Sequence, residues 1–246
     1  MTDHAVAVTF LLVTTFVATT LQTLTGFAFA LIMMPLATMA LGVRTAAPLV
    51  ALTALTTYAV NCLRYRAWLN VKELWRLGLA AMAGVPVGVW MVAIVPESVV
   101  KLLLGIVLIG YAVFVLTRPN PLKPCSSGWA YLAGFLSGSL GGAYNTSGPP
   151  LVIYASLRQW PKGEFRAGLQ SLFLLSGALT VISHAVANHL TSPVLWLYVC
   201  TPPALLLGIL VGARVDHYVD KERFRLLVVV LILLLGVSLT LNLGRR

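Results

Sequence analysis

Charge is scarce in this sequence. Only 10% of its 246 residues are Asp, Glu, Lys or Arg, while 59% are hydrophobic and the mean hydropathy is +0.92. A soluble domain of this size carries about 25% charged residues to cover its surface, so a soluble globular fold is excluded. Acids are the scarcest group. The seven are Asp3, Glu73, Glu97, Glu164, Asp216, Asp220 and Glu222, and all fall in loops or at the ends of apolar runs. Paired carboxylates within an apolar run are therefore absent, as is any H-E-x-x-H spacing. An intramembrane enzyme, which needs a nucleophile with its base, such a carboxylate pair or a metal cluster, has little to stand on. Cys62, Cys125 and Cys200 are scattered with no C-x-x-C spacing, so neither a metal site nor a disulfide framework is expected, and no cofactor. The opening MTDHAVAVTFLLVTTF has no basic stretch and no small-residue cleavage site, and it reads as part of the mature fold.

Apolar length is what the chain has. Runs lie at roughly 4–21, 28–41, 45–63, 73–95, 98–117, 129–141, 149–157, 166–187, 193–213 and 224–243. Six are long enough to cross a hydrocarbon layer of ~30 Å. The other four form two pairs, broken at Gln22–Gly26 and at GGAYNTSGPP, residues 141–150. The net charge of +10 is not a nucleic-acid signature, because the basic residues sit in short loops between apolar runs, as in a bacterial inner-membrane protein.

The two halves correspond. At an offset of 115, Ala18 meets Ala133, Leu21 meets Leu136, Gly26 meets Gly141 and Pro35 meets Pro150. At an offset of 124, Gly84 meets Gly208, Gly88 meets Gly212 and Lys101 meets Arg225. If each broken pair is a re-entrant hairpin, the loops 64–76, 118–127, 158–166 and 214–225 share one side and hold 13 of the 17 Lys and Arg. The excess of Lys and Arg makes that side the cytoplasm and puts both termini outside. Each half then has three spans and is inverted relative to the other. The expected fold is an all-α polytopic membrane domain of two inverted repeats. The first, 1–123, has a hairpin over 4–41 and spans 45–63, 73–95 and 98–117. The second, 124–246, has a hairpin over 129–157 and spans 166–187, 193–213 and 224–243. The two form one integrated transmembrane domain whose hairpin tips can meet near the midplane. Glycine-rich breaks at matching places in two halves point to a transporter binding site.

The stretch GFLSGSLGGAYNTSGPPLVIYASLRQWPKGEFRAGLQ (134–170) resembles the signature of the sulfite exporter TauE/SafE family, also called the toluenesulfonate uptake permeases. LQTLTGFAFALIMMP (21–35) resembles that family's weaker N-terminal copy. The family's first hairpin often has more glycines, and its second a glycine-richer run where Ala143-Tyr144-Asn145 stands here. The resemblance implies a secondary transporter of organosulfur anions such as sulfite, sulfonates or sulfoacetate. Carboxylates are the alternative cargo within the same fold, and a structural membrane subunit is a remote one.

The second break carries the sharpest candidate site. Gly141 and Gly142 allow close backbone approach, and Tyr144, Asn145, Thr146 and Ser147, with Gly148, are the groups expected to hold the ligand. Pro149 and Pro150 suit the first turn of a following half-helix. That helix would aim its N-terminus at a small anion, the expected partner besides the bilayer. The bland alternative is a breakpoint that packs two helices through small residues. At the first break Gln22 and Thr25 would bind oxygens, Gly26 would open the backbone and Phe27 would hold an organic tail; a kinked helix with satisfied threonines fits equally. Gln170, one turn beyond Arg166, is expected to line the cavity. Arg166 reads as an interface anchor or a ligand, and Asn61 as a cap or an interhelical bond. His184 is the nearest candidate for a co-transported proton, although a histidine at a span end is usually interfacial. A homo-oligomer is compatible with this reading.

The topology is testable. In a chain freed of its three native cysteines, single cysteines in loops 118–127 and 158–166 are expected to be shielded together from an impermeant thiol reagent on intact cells. Labelling of one loop and not the other would remove the re-entrant second hairpin.

Overall fold

Where water is excluded, a lone segment satisfies its own backbone only as a helix, and the apolar runs take that form. The computed structural model describes residues 2–94, 97–117, 126–144, 147–158, 160–216 and 218, with 226, 229–230, 233–234, 236–237 and 240 beyond them. Among these residues are α1 (Thr2–Thr25), α2 (Phe29–Leu41), α3 (Val43–Tyr65), α4 (Val71–Ile94), α5 (Glu97–Thr117), α6 (Trp129–Tyr144), α7 (Gly148–Leu157), α8 (Lys162–Val186), α9 (Ser192–Cys200) and α10 (Pro202–Val215). No strand occurs among them. The described residues between 226 and 240 are helical, inside the expected last span, most of which lies outside the described residues. Val8–Thr25, Arg44–Trp68, Gly163–Val186 and Ser192–Val215 are each long and apolar enough to cross a membrane. The chain is a multi-pass membrane protein, all-helical among the described residues.

Two elements differ from the expectation. The span 193–213 is broken at Thr201, because Pro202 and Pro203 open the next helix and supply no N–H to the turn before them. The Thr201 hydroxyl caps that turn by donating to the Tyr198 carbonyl at 2.8 Å. In the first pair, α1 is itself of crossing length rather than the expected half-span.

Residues that meet across helices give their directions. Phe10, Leu11 and Thr14 line one crevice with Met33, Ala37, Ala40 and Leu41, so α1 and α2 run antiparallel. Gly42, at φ +75°, turns the chain directly from α2 into α3. The Tyr58 and Phe173 rings meet at 5.2 Å, tilted by 46°, and Cys62 Sγ lies 3.4 Å from the Ser171 hydroxyl, which makes α3 and α8 antiparallel. By contrast, Gly208 and Gly212 of α10 press on α1 at Phe16 and Thr20, and the two helices run parallel.

The tightest seam joins α4 to α6, also in parallel. Gly84 and Gly88 of α4 press on Phe135 and Ser139, while Gly134, Gly138 and Gly142 of α6 press on Leu77, Ala81 and Val85. A Cβ at any of the five would overlap a backbone carbonyl oxygen. Small residues at such spacing let helices meet by van der Waals packing, the force left when lipid is as apolar as the side chains. Gly138→Ala is therefore expected to destabilise the protein by about 1–3 kcal/mol through overpacking. Gly110 has open space around it, so Gly110→Ala should be neutral or stabilising by up to ~1 kcal/mol from helix propensity. Thermal melting in detergent checks this, and equal shifts in the two variants would discredit the seam.

Candidate functional site

The first break is built from side chains that replace lost helical hydrogen bonds. Gly26 stands at φ +92°, a left-handed conformation that favours glycine. Its N–H still donates to the Gln22 carbonyl at 2.7 Å. The Thr25 hydroxyl donates to the Leu21 carbonyl at 2.8 Å and accepts from the N–H groups of Phe27 and Ala28, both at 3.2 Å. Gln22 Oε1 accepts from the Phe29 N–H at 2.8 Å, and its Nε2 donates to the Gly26 carbonyl at 3.1 Å. Gln170, from α8, donates to the same carbonyl at 3.0 Å and accepts from Gln22 Nε2 at 3.3 Å. Both glutamines are fully buried. The groups expected to hold substrate oxygens at Gln22, Thr25 and Gln170 are thus engaged by the backbone of the break itself. Leaving such buried groups unpaired costs about 1–3 kcal/mol each, which is why amides occupy these positions.

Arg166, the interface candidate, is buried at 5% exposure. Its guanidinium donates to both carboxylate oxygens of Asp216, at 2.7 and 2.9 Å. It also donates to the Leu24 carbonyl, lies 3.4 Å from the Tyr65 hydroxyl and sits 5.7 Å from the Tyr65 ring centre. Leu24 is in the last turn of α1 and Asp216 caps α10. Arg166 therefore sits at the negative ends of two helices, where orphan carbonyls favour a cation. Tyr65 also donates to the Thr23 carbonyl at 3.4 Å.

At the second break the chain folds back. Ser147 is buried, its carbonyl accepts from the Ser137 hydroxyl at 2.7 Å, and its hydroxyl lies 3.4 Å from that of Ser176. A Cβ at Gly148 would lie 3.4 Å from the Cβ of Phe27, so the two breaks adjoin. Their depths differ. Gly26 packs on Phe165, Arg166 and Leu169 in the first turns of α8, whereas Ser147 faces Ser176 near its middle. Asn145 and Thr146 lie outside the described residues, as does the Tyr144 side chain. Gly142 faces Val85 across the helix seam and packs α6 on α4. The α7 N-terminus is poorer in donors than a usual helix start, because Pro149 and Pro150 carry no N–H.

His184 is not brought to the breaks. It lies fourteen residues beyond Gln170, about 21 Å along α8 at ~1.5 Å per residue. There its Nδ1 meets that of His189 at 3.1 Å. The helix ends in a left-handed Asn188 at φ +56°, and the His189 N–H donates back to the His184 carbonyl at 2.9 Å. This is the Schellman pattern, which explains why these two side chains touch.

Sequence reasoning missed the Arg166–Asp216 pair, the contact of Ser147 with Ser176 and the buried Thr19 on α1. Arg166 and Gln170 share a helix face with Phe173, and Ser176 and Thr180 extend the polar positions of α8. That periodicity was the available signal.

Comparison with known proteins supplies the remaining finding. The family described as "Sulfite exporter TauE/SafE" matches residues 11–239. A protein of Cupriavidus necator (strain H16), named "Probable sulfite/organosulfonate exporter TauE", is 28% identical over 201 residues, covering 78% of each chain. No solved structure matches the chain.

Breaking a buried ion pair from one side costs about 3–5 kcal/mol. With Asp216 21% exposed, Arg166→Ala is expected at or below the lower end of that range. Asp216→Asn should cost less, because Arg166 keeps the Leu24 carbonyl. Chemical denaturation in detergent measures both, and an unchanged Arg166→Ala midpoint would mean that the pair contributes nothing.

Proposed function

This chain belongs to the sulfite exporter TauE/SafE family, and we propose that it moves small organosulfur anions, such as sulfite or sulfonates of the sulfoacetate kind, across the bacterial inner membrane by alternating access. The protein is a multi-pass membrane transporter, and its family is one of carriers, which removes the intramembrane-enzyme alternative. The relative's name speaks of sulfite and organosulfonates and of export, which supports the cargo class and the direction.

The observation that carries the reading is the junction of two chain breaks, with Gly148 against Phe27. In our reading the fold is two inverted repeats, each with a re-entrant hairpin, and both termini lie outside. An in-plane two-fold axis gives a helix pair and its image the same relative direction and makes a helix antiparallel to its own image. In support, α1 runs parallel to α10 as α6 does to α4, while α3 and α8 are antiparallel. The glycines matched in sequence, Gly84 and Gly88 with Gly208 and Gly212, make the equivalent contacts. Their targets, Phe135 and Ser139 on α6 and Phe16 and Thr20 on α1, are 119 residues apart, one helical turn from the 115 offset.

The anion would lie at this junction against Ser147, Gly148 and Phe27, with Tyr144, Asn145 and Thr146 from the same loop. Gln22, Thr25, Gly26 and Gln170 shape the first break around it, and Gly142 holds the second break to α4. A monovalent anion is driven outward by an inside-negative potential at ~2.3 kcal/mol per 100 mV. Asp216 is already paired with Arg166, and His184 stands far along α8, so a mid-depth proton carrier has no support among the described residues. Export or potential-driven exchange follows.

In proteoliposomes with clamped potential, radiolabelled sulfite and methanesulfonate should move toward the positive side without a pH gradient. Uphill accumulation driven by an inward proton gradient would overturn the export reading. Ser147→Ala and Asn145→Ala should each raise KM about tenfold, ~1.4 kcal/mol for one hydrogen bond to a charged group. Unchanged KM in both folded variants would count against the junction.

A further inference from the structure

Hydroxyls on the buried helices are almost uniformly satisfied. On α1, Thr14, Thr20, Thr23 and Thr25 donate to the carbonyl four residues back, and Thr15 meets the Met33 sulfur. On α3, Thr53, Thr56 and Thr57 do the same. Ser139 on α6 is one exception; Thr19 and Asn61 are two more. Both are 0% exposed, and the Thr19 hydroxyl and both amide atoms of Asn61 have no hydrogen-bond partner among the described residues. Asn61 is neither a cap nor an interhelical bond. It lies inside α3, one turn before Tyr65.

The register brings these two residues to one level. The α1 and α3 helices run in the same direction, since α2 returns antiparallel to α1 and Gly42 turns the chain again. Tyr65 bonds to the Thr23 carbonyl, so one turn back along each helix stand Asn61 and Thr19. On α8 this level is that of Ser171, bonded to the neighbouring Cys62, and so of Gln170 behind the first break. Gly208 of α10 packs directly against Thr19, since a Cβ there would come within 2.9 Å of the Thr19 Cβ. Arg166, one turn further along with Tyr65, closes the level on the side of the Lys162 end.

We propose that Thr19 and Asn61 form a second oxyanion-binding position on the transport path, taking a sulfite or sulfonate oxygen between the junction of the two breaks and the Arg166–Asp216 layer. This rests on the transport reading above. The chemistry fits an oxyanion: the Asn61 amide offers two N–H donors and Thr19 one O–H to its oxygens, and Asn61 Oδ1 can accept the proton that hydrogensulfite carries. A buried amide kept without a structural partner is destabilising and persists only where something else uses it. Cargo that leaves in every cycle is such a user.

The test compares wild type with Asn61→Leu and Thr19→Val in the same proteoliposomes and in detergent melts. Removing unpaired polar atoms with little change of volume should leave the melting temperature equal or higher. KM for sulfite and methanesulfonate should rise at least tenfold in Asn61→Leu and severalfold in Thr19→Val, and the melting shift produced by sulfite should shrink. A higher melting temperature with KM within twofold of wild type would mean that the two groups take no anion, and the assignment is overturned while transport stands. A wild type that moves none of these anions overturns the transport reading itself, and this assignment with it. If Asn61→Leu fails to fold, Thr19→Val alone decides by the same KM criterion.

Discussion

Backbone amides released where a buried helix stops must be bonded inside the protein, because lipid offers nothing in return. The region around Gly26 meets this demand with an unusual concentration of side chains. Thr25 closes two N–H groups, Gln22 closes a third, and Gln22 and Gln170 share the Gly26 carbonyl. Arg166 takes the Leu24 carbonyl and is itself held by Asp216. The positions of α8 and α10 relative to α1 follow from these bonds. So does the place where Phe27 receives Gly148.

Helix contact elsewhere relies on the absence of side chains. The α4–α6 and α1–α10 seams are backbone against backbone through glycine, as suits a solvent in which burial of leucine brings no advantage. Polar side chains are then free to collect in the interior, where Thr15, Thr19, Gln22, Thr53, Thr57, Asn61 and Gln170 are all buried. The apolar residues on the outside, such as Trp90, Trp129, Trp196 and Leu207, are exposed. The buried polar groups lie beside a large apolar cluster that includes Phe29, Met33, Leu49 and Leu169, and such buried polar positions are what a polar solute crossing a bilayer needs.

The helices were legible because length and apolarity decide them with little help from tertiary contacts. The first break was legible as a polar, glycine-bearing gap, and the structure stops α1 within it. The spacing Gly84-x-x-x-Gly88 and Gly208-x-x-x-Gly212 announced close packing, but no local pattern says which helix is the partner. The roles of Gln22 and Gln170 were not legible, because an amide that binds backbone and one that binds cargo have the same sequence. Arg166 and Asp216 are 50 residues apart, and each alone looks like a charge at a span end. The bend at Thr201 was written in Pro202 and Pro203 but masked by the apolar run around them.

A seam made of glycine on carbonyl has no rotamers to flex. Side-chain interfaces absorb a small displacement by repacking, whereas here any sliding of α6 along α4 would drive carbonyl oxygens into Cα atoms within a fraction of a turn. In mechanical terms the two helices form one stiff beam, and the Ser147 end of α6 is anchored to it. Any change of shape must then be taken up where contacts are side chain on side chain, along α8, whose Ser176 and Phe173 meet their neighbours through rotatable side chains that Gly84 and Gly138 lack.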